Sequence, residues 1–140
     1  IDDEVTVLCA SCDKGQFQPT AGQLSCLDCP SGFSQDTRNQ TFCLPCYPGK
    51  YQPLTSQSEC LDCPLGQAQS VMQKTTCSDC GAGQYSDTLG LVQCLKCMPG
   101  QSQQELGQQN CKTCDYGYYQ DLAGKVACLK CYILSYSRRF

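Results

Sequence analysis

The spacing of cysteine pairs constrains this chain more than any other feature of its sequence. The pattern Cys-x-x-Cys occurs eight times, and its first cysteine recurs at every seventeenth position. The first cysteines are Cys9, Cys26, Cys43, Cys60, Cys77, Cys94, Cys111 and Cys128. The second cysteines are Cys12, Cys29, Cys46, Cys63, Cys80, Cys97, Cys114 and Cys131. All 16 cysteines belong to this series, so the fixed period indicates a tandem repeat protein.

The composition favours small local cores that are joined covalently. More than one residue in ten is cysteine, and the 140-residue chain contains no tryptophan and no histidine. Such a cysteine content is typical of disulfide scaffolds, in which covalent bonds replace part of the hydrophobic core. We therefore predict a small disulfide-rich fold, mostly irregular with short β-strands, in which eight tandem repeats form an elongated rod.

The period divides the chain into three parts. Residues 1–8 precede the repeats and form an N-terminal extension or strand, residues 9–127 contain seven full repeats, and residues 128–140 contain a truncated eighth repeat with a C-terminal strand or cap. The chain begins with isoleucine, as expected either of a mature product after removal of its signal peptide or of a trimmed piece of a longer chain. No apolar run approaches the length of a membrane span, so none is expected within this chain.

Two other residue types recur at a fixed position in the repeat. A glycine stands six residues after the first cysteine, which predicts a positive φ angle or a close approach by another segment. These glycines are Gly15, Gly32, Gly49, Gly66, Gly83, Gly100 and Gly117. Three residues later a polar side chain predicts a repeated hydrogen bond to the backbone. These residues are Gln18, Gln35, Gln52, Gln69, Ser86, Gln103 and Gln120. A second turn is expected near Gly22, Asn39, Gly90, Gly107 and Gly124.

Apolar residues also follow the repeat. Leucine comes directly after the first cysteine in five repeats, and we predict that it packs over the neighbouring disulfide. These leucines are Leu27, Leu44, Leu61, Leu95 and Leu129. Eight residues after the first cysteine, odd repeats have Phe17, Tyr51, Tyr85 and Tyr119, whereas even repeats have Ser34, Ala68 and Ser102. Tyr136 in the eighth repeat is the exception. This alternation predicts a structural period of two repeats.

Two chemistries fit repeated Cys-x-x-Cys pairs. Zinc would be held by two pairs in a tetrathiolate site, whereas disulfides would close loops and stabilise the fold by restricting the unfolded chain. The sequon Asn39-Gln40-Thr41 is typical of secreted proteins and favours disulfides. We therefore expect an extracellular or cell-surface protein with an N-linked glycan at Asn39 and with no metal or other cofactor.

Two disulfide pairings satisfy the spacing. One joins first cysteines to first and second cysteines to second inside two-repeat modules, and it uses every cysteine. The other is a ladder from each second cysteine to the first cysteine of the next repeat, beginning at Cys12–Cys26 and ending at Cys114–Cys128. The ladder leaves Cys9 and Cys131 to form an intermolecular bond between copies. Spacing alone does not distinguish the two pairings.

The repeat resembles a known family of extracellular modules. The segments Cys9–Gln18 (CASCDKGQFQ) and Cys43–Gln52 (CLPCYPGKYQ) are similar to ephrin-receptor-like cysteine-rich repeats, which are relatives of the tumour necrosis factor receptor type. Similar tandem repeats occur in surface antigens of ciliates and other protists, and the resemblance covers residues 9–131. The uniform register differs from that of receptor ectodomains, whose loops vary in length, and it favours a regular rod or fibre.

The resemblance also implies one of the two disulfide pairings. Four-cysteine modules of the receptor type pair first with third and second with fourth. Carried onto this chain, that rule gives Cys9–Cys26, Cys12–Cys29, Cys43–Cys60, Cys46–Cys63, Cys77–Cys94, Cys80–Cys97, Cys111–Cys128 and Cys114–Cys131.

Nothing in the sequence indicates catalysis, since it has no histidine, no activated-serine motif and no phosphate-binding loop. We expect a secreted structural protein whose copies join head to tail in an extracellular fibre, surface coat or matrix. An acidic N-terminal end, a basic C-terminal end and short terminal strands favour this self-association. A net charge of −3 without a basic stripe argues against nucleic acid. The alternatives are a ligand-binding or stalk segment of a cell-surface receptor or antigen, and an intracellular multi-zinc protein.

Overall fold

A computed structural model of the chain describes residues 11–132. They fall into two compact units that alternate along the sequence. The first unit comprises residues 11–64, 68–78 and 89–93, and the second comprises residues 65–67, 79–88 and 94–132. The strand expected in residues 1–8, Cys9, and the end of the truncated eighth repeat with Tyr136 lie outside the described residues.

Regular structure in residues 11–132 consists of short strands, without a helix. The strands are β1 (Gln16–Phe17), β2 (Leu27–Asp28), β3 (Phe33–Ser34), β4 (Leu44–Pro45), β5 (Lys50–Tyr51), β6 (Leu61–Asp62), β7 (Gln67–Ala68), β8 (Ser78–Asp79), β9 (Gln84–Tyr85), β10 (Leu95–Lys96), β11 (Gln101–Ser102), β12 (Lys112–Thr113), β13 (Tyr118–Tyr119) and β14 (Leu129–Lys130). Over this part of the chain, no helix is therefore present that could cross a membrane. The small disulfide-rich fold with short strands is confirmed.

The strands form antiparallel hairpins between consecutive strands. In the first unit β1 pairs with β2, β3 with β4, and β5 with β6. In the second unit β9 pairs with β10, β11 with β12, and β13 with β14. One strand follows the glycine turn and its partner follows the next first cysteine, so Phe17 faces Leu27 and Tyr51 faces Leu61. Strands β7 and β8 each have one residue in the first unit and one in the second.

The repeated glycine adopts the left-handed conformation that the sequence predicts. All seven glycines have φ between 78° and 85°, a range that side chains other than glycine rarely adopt. A second left-handed position lies later in each repeat, in the turn that contains Gly22 in the first repeat. Glycine occupies this position in four repeats, but Asn39, Ser56 and Gln73 have φ of 58° to 62° there. The turn at Asn39 was expected, whereas those at Ser56 and Gln73 were missed.

The interior of the repeats contains cysteine and glutamine in place of aliphatic side chains. Cys12, Cys29, Cys46, Cys63, Cys80 and Cys97 are at most 5% exposed. Gln35, Gln52, Gln69, Gln103 and Gln120 are also buried. The leucines after the first cysteines are 39% to 50% exposed, so the prediction that they pack over the disulfides is wrong. They lie in surface hairpins, and the disulfide itself occupies the interior.

Repeats two apart are in contact within each unit. In the first unit the Ser34 hydroxyl lies 3.4 Å from the Cys60 sulfur, and in the second unit Ser102 lies 3.4 Å from Cys128. Both serines are the small residues of the alternating position. A small side chain in even repeats thus leaves room for the disulfide of the repeat two further on. The predicted structural period of two repeats stays a prediction.

Candidate functional site

A ladder of seven disulfides links consecutive repeats. Each bond joins the second cysteine of one repeat to the first cysteine of the next at a sequence separation of 14, with Cα atoms 5.5 Å to 5.8 Å apart. The bonds are Cys12–Cys26, Cys29–Cys43, Cys46–Cys60, Cys63–Cys77, Cys80–Cys94, Cys97–Cys111 and Cys114–Cys128. Since these bonds consume fourteen of the thiols, the multi-zinc alternative does not fit this structure.

The pairing implied by the receptor resemblance is therefore corrected. The structure does not form Cys9–Cys26, Cys12–Cys29, Cys43–Cys60, Cys46–Cys63, Cys77–Cys94, Cys80–Cys97, Cys111–Cys128 or Cys114–Cys131, because the ladder joins at least one cysteine of each pair elsewhere.

The hairpins explain why the ladder forms. Strand β1 begins four residues after Cys12, and β2 begins directly after Cys26. Pairing of these two strands returns the chain to its starting point, so Cys26 meets Cys12. The backbone N–H of Cys29 then donates to the Gly15 carbonyl at 2.8 Å, which leaves Cys29 buried and directed towards the next loop. The same hydrogen bond recurs between Cys46 and Gly32, at 2.9 Å.

A glutamine clamp, made of two side-chain hydrogen bonds to the backbone, closes six of the seven disulfide loops. The Gln52 side-chain amide donates to the Glu59 carbonyl at 2.7 Å, and its oxygen accepts the Leu54 N–H at 3.1 Å. The same two bonds are made by Gln18, Gln35, Gln69, Gln103 and Gln120. Ser86, whose side chain is shorter, donates instead to the Thr88 carbonyl at 3.1 Å. The predicted repeated hydrogen bond to the backbone is thus confirmed.

Cys131 is the one cysteine among the described residues that is not in a disulfide, and it is exposed. It follows strand β14, at the position where the earlier second cysteines begin the next bond of the ladder. Its expected counterpart, Cys9, lies outside the described residues. The structure therefore presents one accessible thiol at the C-terminal end of the ladder.

The sequon lies on an exposed turn. Asn39 adopts a left-handed conformation with φ of 58°, and its backbone N–H donates to the Cys12 carbonyl at 3.0 Å. Its side chain and that of Thr41 are exposed. The backbone of Asn39 is thus held by the fold while its side-chain amide faces solvent.

Exposed carboxylates form a second repeated feature beside the hairpins. Gln16 donates to Asp28 at 3.0 Å, and this hydrogen bond, followed by one from Ser56, lowers the pKa of Asp28 below its ordinary value of 3.8. In the hairpin of β5 and β6, Lys50 lies 2.6 Å from Asp62. Neither pair belongs to a cluster of side chains that could bind a metal ion. No such cluster occurs elsewhere in residues 11–132. These pairs connect neighbouring strands at the surface.

Comparison with known proteins identifies the module. The family model described as tyrosine-protein kinase ephrin type A/B receptor-like matches twice, over residues 3–41 and 35–73. The two matches together span just over half of the chain. No curated protein matches the sequence significantly.

This family is a non-catalytic module of the receptor type, and together with seven disulfides it indicates an extracellular domain. The resemblance noted from the Cys-x-x-Cys pattern is therefore confirmed over residues 3–73. The chain belongs to the ephrin-receptor-like family of cysteine-rich repeats.

Proposed function

We propose that this chain is a structural component of an extracellular assembly, and that its copies join head to tail in a fibre, surface coat or matrix. The observation that supports this function most is the uniformity of the repeats. Every disulfide closes a loop of the same length, the seven full repeats share the same glycine turn, and six of them share the glutamine clamp. A chain selected for one binding loop would specialise one repeat, whereas a structural module uses them all equally.

Self-association is supported by the two ends of the chain. Asp2, Asp3 and Glu4 make the N-terminal end acidic, while Arg138 and Arg139 make the C-terminal end basic. Opposite charges favour the approach of one copy's N-terminal end to another copy's C-terminal end. Because exposed charges are screened, this attraction weakens as the salt concentration rises.

The exposed thiol of Cys131 provides a covalent variant of the same assembly. A disulfide between Cys131 of one copy and Cys9 of another would extend the ladder across the junction. The two thiols lose two protons and two electrons, and a small-molecule disulfide such as oxidised glutathione accepts them and is released as two thiols. No other reactant is needed for this step.

Sedimentation velocity over a range of protein concentrations tests the assembly. We expect species larger than one chain that grow with concentration and shrink with added salt. Intact mass measured with and without reductant then separates covalent from non-covalent contacts. Cys131→Ser is the matched control, because it removes the thiol without touching a described disulfide. A monomer at every concentration would contradict the proposed assembly.

A stalk or ligand-binding segment of a cell-surface receptor or antigen is the second candidate. The family match favours it, because the matched module is of the receptor type. This candidate predicts a monomer in solution and no dependence of size on concentration. The sedimentation experiment therefore distinguishes the two functions directly.

An N-linked glycan at Asn39 is part of the proposal. The exposed side chains of Asn39 and Thr41 support it, because the transferring enzyme needs access to the sequon. Expression in a eukaryotic secretory host followed by treatment with a glycan-removing amidase should lower the mass of the chain. Asn39→Gln should show no such change. An identical mass before and after treatment would contradict this modification.

A further inference from the structure

One disulfide of the first unit borders a surface depression. The depression has a volume of about 300 Å³, and Cys60 lines it together with two serines and three charged side chains of the same unit. These side chains are Ser34, Ser58, Asp36, Lys50 and Glu59. Cys60 is half-buried, whereas its disulfide partner Cys46 is 1% exposed. The two ends of this disulfide therefore differ in access, and Cys60 is the end that a dissolved molecule can reach.

A buried hydroxyl donates a hydrogen bond to the accessible end. The Ser34 hydroxyl lies 3.4 Å from the Cys60 sulfur, and Ser34 is 9% exposed. Because a disulfide sulfur carries no hydrogen, the hydroxyl is the donor. A disulfide sulfur is a weak acceptor, whereas a thiolate accepts a stronger, charge-assisted hydrogen bond. Ser34 therefore stabilises the thiolate of reduced Cys60 more than it stabilises the disulfide.

The two flanking disulfides of the first unit have an aromatic residue in place of this serine. Ser34 stands 26 residues before Cys60. The residues at the same offset are Phe17 for the Cys29–Cys43 disulfide and Tyr51 for the Cys63–Cys77 disulfide. At both positions an aromatic ring replaces the hydroxymethyl group, so the donor next to the sulfur distinguishes the middle disulfide from its neighbours on either side.

We infer that the Cys46–Cys60 disulfide is a site of exchange with small-molecule thiols, and that the incoming thiol forms a mixed disulfide with Cys60. A thiol can approach Cys60 through the depression, while burial protects Cys46 from attack. The Ser34 hydroxyl then stabilises the Cys60 thiolate when the exchange is completed. This inference concerns the chemistry of one disulfide, and it holds whether or not copies of the chain associate.

The exchange proceeds in two balanced steps. In the first, the thiolate of a small molecule attacks the Cys60 sulfur, the bond to Cys46 breaks, and Cys46 leaves as a thiolate that takes up the proton released by the small thiol. In the second, another small thiolate attacks the sulfur of the attached small molecule, and Cys60 leaves as a thiolate that accepts the Ser34 hydrogen bond. Two small thiols are thereby oxidised to their disulfide, while Cys46 and Cys60 are reduced to thiols.

The charges around the depression favour a thiol that carries an ammonium group. Lys50 lies 2.6 Å from Asp62, so its positive charge is already paired. Asp36 and Glu59 add two exposed carboxylates to the lining. These carboxylates would attract the ammonium group of an aminothiol such as cysteamine, whereas they would repel the carboxylate of 3-mercaptopropionate.

Brief treatment of the full chain with cysteamine tests the site. Free thiols are first blocked with iodoacetamide, and acid quenching followed by peptic digestion locates the adduct by mass. We expect the first adduct on Cys60. A first adduct on Cys46, or on either flanking disulfide, would overturn the inference. With each rate divided by that thiol's rate with oxidised glutathione, 3-mercaptopropionate should react at least about threefold more slowly. Equal corrected rates would overturn the preference for an aminothiol.

Ser34→Ala separates the effect of the hydrogen bond from access to the sulfur. The fold tolerates alanine here, since Ala68 holds this position in the fourth repeat and is 7% exposed. In mixtures of cysteamine and its disulfide at about pH 9.5, we expect the equilibrium constant for reduction of Cys46–Cys60 to fall about tenfold. At about pH 6, where an ordinary thiol is protonated, parent and variant should agree within about twofold.

Ser58→Ala is the matched control, because it removes another hydroxyl from the same depression. We expect its equilibrium constant to stay within about twofold of the parent at both pH values. Disulfide mapping before treatment establishes that both variants fold with the parent pairing. A fall of equal size at both pH values in Ser34→Ala would mean that Ser34 acts through packing, and it would overturn the role of the hydroxyl as a donor to the thiolate. An unchanged constant at about pH 9.5, or an equal fall in Ser58→Ala, would overturn it as well.

Discussion

The second cysteines and the leucines that follow the first cysteines lie in opposite environments, although both are apolar and both hold a fixed position in the repeat. Cys46 is 1% exposed, whereas Leu44, two residues earlier, is 39% exposed. In larger domains aliphatic side chains fill the interior, but a repeat this short has too little volume to enclose them. The interior is instead filled by sulfur and by glutamine whose amide group is hydrogen-bonded to the backbone. Stability is therefore concentrated in cross-links and clamps, and the leucines contribute little.

Removal of one disulfide should lower the free energy of unfolding more than any of the other changes below. Cys46→Ala combined with Cys60→Ala opens a loop of about 15 residues, which should lower the free energy of unfolding by about 3 kcal/mol. Urea denaturation of the double variant and of the parent measures the difference. A loss smaller than about 1 kcal/mol would mean that packing, and not the cross-link, stabilises this repeat.

Replacement of one buried glutamine should cause the second-largest loss of stability. Gln52→Met has a similar volume but leaves the Leu54 N–H and the Glu59 carbonyl without their partner, which should cost about 2 to 3 kcal/mol. Gln109→Met, at an exposed position, is the control and should change little. Faster hydrogen exchange at the Leu54 amide would locate the effect. Equal stabilities of the two variants would show that the clamp is dispensable.

Substitution of an exposed leucine should be nearly neutral. Leu61→Thr keeps a residue that suits a strand, and it should alter the free energy of unfolding by no more than about 0.5 kcal/mol. The measurement is the same urea titration, so the result compares directly with the disulfide next to it. Destabilisation comparable to that of Gln52→Met would place this leucine in the core after all.

The smallest effect should come from acid titration of Asp28. Its pKa is lowered in the folded chain, so its contribution to stability is complete above the unfolded value of 3.8 and is lost as pH falls through the lower folded value. Melting temperatures of the parent and of Asp28→Asn, measured from about pH 6 to about pH 2, should converge at the acidic end. A difference that stays constant with pH would exclude the carboxylate as its cause.

Much of the repeat followed from the sequence because its chemistry is local. Gly49 and Gln52 hold fixed positions relative to their cysteines, and both the left-handed turn and the backbone clamp depend only on residues within that repeat and the next. The left-handed turns at Ser56 and Gln73 were missed because neither residue type favours that conformation. Their shared position with Gly22 and Gly90 was the signal that would have identified them.

The disulfide pairing did not follow from the sequence. Cys12 lies almost as close to Cys29 along the chain as it does to Cys26, and both separations suit a disulfide loop. The choice depends on the hairpin between β1 and β2, whose strands have only two residues each and leave no periodicity to detect. The exposure of Leu27 depends on the same hairpin, because strand pairing decides which side chains face solvent.

The ladder also determines how the chain carries tension. A pulling force passes through each disulfide and then through the three peptide steps from one first cysteine to the next second cysteine, so the residues inside each loop bear none of it. A fully stretched repeat with intact bonds would reach about 16 Å, against about 60 Å after reduction. A protease cut inside a loop would leave the force-bearing path unbroken, whereas a cut at Leu27–Asp28 would sever it. Oxidation thus limits how far this chain can be extended, because the disulfides keep the loops out of the force-bearing path.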